Sequence, residues 1–91
     1  MKRWSVYLAR CADGTLYCGI APDVAARLAA HDAGKGARYT RGRGPLVVRY
    51  VEKAKTRAAA QSREAAIRRL GRAGKESLCA TWAGGRLLSG G

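Results

Sequence analysis

The 91-residue chain has no phenylalanine, two prolines, one histidine and only six acidic residues. Of its 43 apolar residues, 18 are alanine and only 15 are leucine, valine or isoleucine. The core is therefore thin, and net stability is expected on the order of 5 kcal/mol. Such a chain forms one small domain, with no room for a cofactor domain beside a substrate domain and little for a deep small-molecule pocket. No apolar run approaches membrane length. Met1-Lys2-Arg3 looks like a charged leader, but only residues 4–9 separate it from Arg10, too few for a signal peptide.

The acids Asp13, Asp23, Asp32, Glu52, Glu64 and Glu76 are scattered. A two-metal nuclease site needs several converging carboxylates, so any acting metal is expected to be a single, largely hydrated ion. Cysteine is odd in number and contains no C-x-x-C pair. A zinc site would require Cys11, Cys18, Cys79 and His31 to converge, and the spacing also argues against a disulfide framework. Three thiols fit a reducing, cytoplasmic setting.

What the chain has in excess is positive charge. Eighteen Lys and Arg give a net +12 and a pI near 10.7. Such a surface attracts polyanions, with nucleic acid first among them. An anionic membrane would require a long amphipathic helix with large apolar residues opposite its charges, and none is present. Arginine outnumbers lysine thirteen to five. That bias suits bidentate phosphate contacts, and it equally suits the residue usage of a GC-rich genome.

There is no internal repeat and no linker. Residues 4–9 mix strand formers, Asp13-Gly14 signals a hairpin, and residues 15–20 read as its second strand. Pro22 suits the first turn of a helix and Asp23 complements its positive end. That helix is expected to reach about Ala33, with Gly34 as its terminator. A basic loop covers residues 34–44, Pro45 ends it, and residues 46–52 read as a third strand. Thr56 can cap a second helix running to about Leu70, Gly71 can break it, and residues 72–80 read as a short third helix weakened by Gly74. The order β-β-α-β-α-α predicts an α+β fold, a small three-stranded antiparallel sheet flanked by helices. Residues 1–80 form the domain, and residues 81–91, rich in glycine, form a fraying tail.

Polar residues within apolar stripes are the informative ones. Arg27 and His31, four apart, share a helix face beside Val24. They are either a half-exposed arginine with a packed histidine, or a cation and a titratable base aimed into one cleft. Ala60, Glu64 and Ile67 share a face of the second helix, where a carboxylate is costly unless paired. Its partner is either Arg68, four residues on, or a hard divalent cation. Tyr7 and Tyr17, near the middles of paired strands, can face one surface. They are either ordinary strand aromatics or phenols recruited for proton chemistry.

Taken in order, these residues resemble the GIY-YIG nuclease superfamily. Ser5-Val6-Tyr7 stands where the first tripeptide falls and Tyr17-Cys18-Gly19 where the second falls. The resemblance continues through Arg27 and His31, residues 34–40, Gly42-Arg43-Gly44-Pro45, and residues 63–70, so that it covers about residues 3–80. The chain is most similar to small stand-alone bacterial members and to the nuclease domain of structure-selective endonucleases. The resemblance implies hydrolysis of DNA phosphodiesters with Mg²⁺ or Mn²⁺. Carried over by position, it implies that Glu64 holds the metal and that Arg27 stabilises charge developing on the phosphate. Tyr17 or Tyr7 would position or activate water, His31 would assist, and which of the three is the base stays open. The chain departs from the pattern in Ser5-Val6, in Cys18, in Ile20 where some members carry lysine, and in Glu76 or Ser77 where some carry asparagine.

Lys35, Arg38, Arg41, Arg43 and Arg68 are candidate phosphate contacts, and Tyr39 can stack on an unpaired base. No element looks like a recognition helix, so backbone and shape are expected to be read rather than sequence. With about six phosphates neutralised, affinity should fall with salt at a log–log slope of roughly −5. Three readings follow. The chain is a single-metal endonuclease acting on DNA, with branched, flapped or damaged forms as candidate substrates. It is a binding module without catalysis. Or it is a nuclease subunit that docks a protein partner through Trp82, Leu87 and Leu88, residues that otherwise cover the domain's own core.

Overall fold

The computed structural model describes residues 3–32 and 45–82, with backbone alone for His31 and Asp32. The elements are β1 (Trp4–Arg10), β2 (Leu16–Ala21), α1 (Val24–Asp32), β3 (Val47–Ala54), α2 (Arg57–Arg69) and α3 (Gly71–Thr81). The three strands form one antiparallel sheet in the order β2-β1-β3. This is the expected α+β architecture, with element boundaries within about two residues of those expected.

The central strand β1 is buried from Ser5 to Ala9. A strand covered on both faces carries an apolar residue at nearly every position. Successive side chains alternate between the faces. Val6 and Leu8 meet Cys18, Ala60 and Ile67 on the side of α2, with Leu78 and Cys79 of α3 packed against them. Tyr7 and Ala9 meet Cys11, Ala21 and Leu46 on the opposite side, joined by Val24 and Leu28 of α1. The cysteines are thereby divided between the two faces and remain free thiols. Among the described residues no group of three metal-binding side chains forms, and no described helix is long and apolar enough to cross a membrane.

Local chemistry sets the turns. The hairpin closes through a three-residue loop rather than a two-residue one. The Gly14 amide donates to the Cys11 carbonyl at 2.9 Å, and the Cys11 amide donates to the Thr15 carbonyl at 2.8 Å. Gly14 takes φ +89°, the left-handed bulge position this loop requires. The helix expected to begin around Pro22 starts at Val24. Asp23 is its N-cap, with Oδ1 accepting the Ala26 amide at 3.1 Å, so Pro22 lies outside the helix. Thr56 caps α2 as expected, its hydroxyl accepting the Ala59 amide at 3.0 Å. Gly71, at φ +73°, does not merely end α2 but redirects the chain straight into α3.

Ion pairs tie these elements together. Arg10, at the end of β1, grips Glu76 of α3 with two bonds of 2.6 and 2.7 Å, and Nη1 also donates to the Gly14 carbonyl. Glu52 on β3 accepts from the Tyr50 hydroxyl at 2.6 Å and from Arg63 Nε at 2.8 Å. Trp82 packs against Tyr50 with ring centroids 6.4 Å apart, so it covers the domain's own core. Leu87 and Leu88 lie outside the described residues.

Arg10 holds the Glu76 carboxyl below its ordinary value of 4.5, first through their hydrogen bonds and then through charge. A carboxylate depressed on folding stabilises the fold above its unfolded pKa, and that contribution fades as pH falls through the folded value. Glu76→Gln is therefore expected to lower stability near neutrality and to flatten the loss of stability below about pH 4.5, as measured by urea unfolding across pH.

Candidate active site

The site is built over a glycine. In the pairing of β1 with β2, Tyr7 stands directly opposite Gly19. Tyr17, two residues earlier on β2, shares the face of Gly19. A methyl group added to Gly19 would lie 2.7 Å from the Tyr7 hydroxyl and 2.9 Å from Tyr17 Cε2. Only hydrogen fits there, and its small size lets the two rings close over the strand. Their centroids are 6.2 Å apart and their planes tilt by 52°, within the range that favours aromatic pairs. Tyr7 is fully buried and Tyr17 half-buried.

Glu64 and Arg68 come from α2. Ala60 and Ile67 anchor the buried face of this helix. Glu64, on the same stripe, keeps only 20% of its side chain exposed. Arg68 Nη2 donates to Glu64 Oε2 and to the Cys18 carbonyl, both at 3.2 Å, which ties α2 to β2. The arginine partner expected for Glu64 is thus present. Its remaining oxygen, Oε1, has no hydrogen bond among the described residues, which leaves a donor for a second partner. Arg27 is exposed on α1.

Electrostatics couple the two tyrosines to charges on both α1 and α2. Burial raises the Tyr7 phenol above its ordinary pKa of 10.0; Tyr17, Cys18 and Glu64 push the same way, and Arg27 opposes them. Burial also raises Tyr17, with Glu64 adding to the shift and Arg68 and Arg27 opposing it. Cys18 is pushed up to about 11 by burial and then by Glu64, against Arg68 and Lys75. At neutral pH both phenols and the thiol therefore keep their protons. A protonated, buried Cys18 packs and does not act as a nucleophile.

One accessible carboxylate suits a hard divalent cation that keeps most of its water and takes further oxygens from a substrate. The donor set of Glu64 fits such an ion. It does not fit zinc, because the thiols are split between the two faces of the sheet.

Of the residues singled out from the sequence, Tyr7 and Tyr17 both lie within electrostatic reach of Arg27 and Glu64, and Tyr17 also of Arg68. His31 follows Arg27 by one turn of α1, and its side chain lies outside the described residues. So do Lys35, Arg38, Tyr39, Arg41 and Arg43. Glu76, where some relatives carry asparagine, is taken up by Arg10 and is not part of the site. Sequence reasoning missed Lys75, which shares a hollow with Tyr17, Cys18 and Arg68. Its placement depends on the corner at Gly71, which no helical spacing announces.

Residues 3–77 match the model of the GIY-YIG catalytic domain. A UPF0213 protein of Halobacterium salinarum is 48% identical over 73 residues, covering 80% of this chain and 95% of that protein. Another, from Nitratidesulfovibrio vulgaris, is 44% identical over 87 residues, covering 96% of this chain and 79% of that protein. Among solved structures, the solution NMR structure of a UPF0213 protein from Bacillus halodurans superposes with a TM-score of 0.55 at 37% identity, covering 86% of this chain and 83% of the other.

Gly19→Ala tests how the site is assembled. The added methyl forces the Tyr7 and Tyr17 rings apart, at an expected cost of about 1–3 kcal/mol. Urea unfolding measures that cost. Aromatic NMR shifts should move at Tyr7 and Tyr17 and stay in place at Tyr50.

Proposed function

The chain belongs to the GIY-YIG family, and we propose that it is a divalent-metal-dependent endonuclease that hydrolyses DNA phosphodiester bonds. The tyrosine pair packed over Gly19, with Arg27 and Glu64 within electrostatic reach of both rings, supports this reading. The net charge of +12 supplies the attraction for the polyanion. Because no recognition helix is present among the described residues, backbone shape is read over base sequence, which suits branched, flapped or damaged DNA in cytoplasmic repair or recombination.

Hydrolysis needs a water aligned with the leaving oxygen and compensation for charge that builds on the phosphate oxygens. Arg27 meets that charge with a planar guanidinium suited to two phosphate oxygens at once. Tyr17 is the less buried phenol; burial still raises its pKa, against the charges of Arg68 and Arg27, so it stays protonated. As a neutral phenol, its oxygen accepts a hydrogen bond from the attacking water and aligns it. Tyr7, held neutral by burial, orients Tyr17 and the water as a donor. His31 takes the assisting role that family resemblance gives it. Glu64 holds Mg²⁺ or Mn²⁺, which when bound supplies positive charge to the phosphate and its leaving oxygen.

Incubation of the protein with linear, single-stranded, flapped and four-way DNA tests this reading. Nicking is expected with Mg²⁺ or Mn²⁺ and none with chelator. Arg27→Ala should lower the rate by about 10²–10³-fold, Tyr17→Phe by at least about 10²-fold, and Glu64→Ala to background. Tight binding without nicking, identical in all four proteins, would overturn the reading in favour of a binding module. Nicking that appears only when a second protein is added would identify a subunit.

A further inference from the structure

Beyond the reacting groups, two adjoining hollows of about 380 and 190 Å³ run along the outer side of β2. Leu16 and Lys75 line both of them. The first opens at Tyr17 and Cys18 and is walled by Arg68. The second continues past Thr15 and is walled by Arg72. Together they form one shallow trough that starts at the reacting phenol and leads away from it, lined by three cations and no carboxylate.

The charges in this trough are available. Lys75 has no carboxylate within ion-pair distance among the described residues, and its charge already acts on the Cys18 thiol. Arg72 has 78% of its side chain exposed, and its Nε is 4.0 Å from Glu76 Oε2. That carboxylate is already gripped bidentately by Arg10. The Arg10 clamp also fixes the rotation of α3, which holds neighbouring Lys75 towards Leu16. Arg72 and Lys75 are three residues apart on α3, so their side chains leave the helix as neighbours, with Cβ atoms roughly 5–6 Å apart. That interval compares with the separation of successive phosphates along a strand.

We propose that this trough is a backbone-binding site: it carries the DNA strand away from the scissile phosphate, with Lys75 and Arg72 each taking a phosphate beyond the one at Arg68. The ligand follows from the nuclease reading. Binding is tested apart from cleavage, so the two can fail separately. The trough is open and shallow, which suits a chain of phosphates sliding in from the side and not an enclosed small anion.

The test is the salt dependence of binding to a flapped duplex, measured in chelator so that nothing is cut. Wild type, Arg72→Gln/Lys75→Gln and the charge-matched pair Arg3→Gln/Arg69→Gln are compared; neither Arg3 nor Arg69 lines the trough. Each duplex phosphate contact contributes about 0.9 to the log–log slope. The trough pair should therefore lose about 1.8 from its slope, which corresponds to roughly 60-fold weaker binding at 0.1 M salt relative to 1 M. The control pair should lose much less, and inorganic phosphate at millimolar concentration should not compete. An unchanged slope in the trough pair, or equal losses in both pairs, would overturn the proposal, since either result means an undirected positive field. Competition by free phosphate would overturn it in favour of a small-anion site. Loss of slope in a protein that never nicks DNA would leave the trough standing and remove the nuclease reading alone.

Discussion

The side-chain-free position at Gly19 is the constraint on which the site depends. The register of β1 with β2 places Tyr7 over it, and any Cβ there would strike both phenolic rings. Tyr7 is the largest fully buried side chain among the described residues, so its ring cannot swing away without opening the core. The same ring therefore serves two tasks: it fills the face of the sheet that packs against α1, and its hydroxyl lies over Gly19 beside Tyr17. A fold with so few large apolar residues gains from such sharing, because little else can fill the space.

The rest of the molecule aims charge at that edge. Ala60 and Ile67 seat α2 under the sheet, and Arg68 ties the helix to the Cys18 carbonyl beside the tyrosines. The ion pairs around this frame are partly exposed, and each contributes little net stability, up to about 1 kcal/mol. Their larger effect is on position. Arg10 with Glu76 fixes α3, Arg63 with Glu52 fixes α2 against β3, and Arg68 with Glu64 holds the carboxylate in place. The strong positive excess opposes compaction through self-repulsion while supplying the field that draws in a polyanion.

Much of this was legible in the sequence because local rules and the tertiary fold agree. The hairpin, the cap at Thr56 and the order of elements follow from turn chemistry and periodicity, and Glu64 stood out as a carboxylate in an apolar stripe. Other features depend on contacts between distant residues. The bulge that shifts register between Leu8 and Ala9 against β3 has no sequence signature. Gly71 reads as a helix breaker, but only the packed fold shows that it turns the chain directly into α3 and so brings Lys75 beside Tyr17. Glu76 looked like a candidate for the site until the fold gave it to Arg10, 66 residues away. The spacing of Tyr7 and Tyr17 was readable, whereas the steric reason for Gly19 between them required the register.

The proposed function requires one divalent cation, held by Glu64, beside the tyrosine pair over Gly19. Titration with paramagnetic Mn²⁺, followed by broadening of side-chain NMR signals, tests it most directly. Selective broadening of the Tyr7 and Tyr17 rings and of Glu64 is expected, with Tyr50 unaffected, and loss of the effect in Glu64→Gln. Broadening centred elsewhere, or unchanged in that variant, would contradict it.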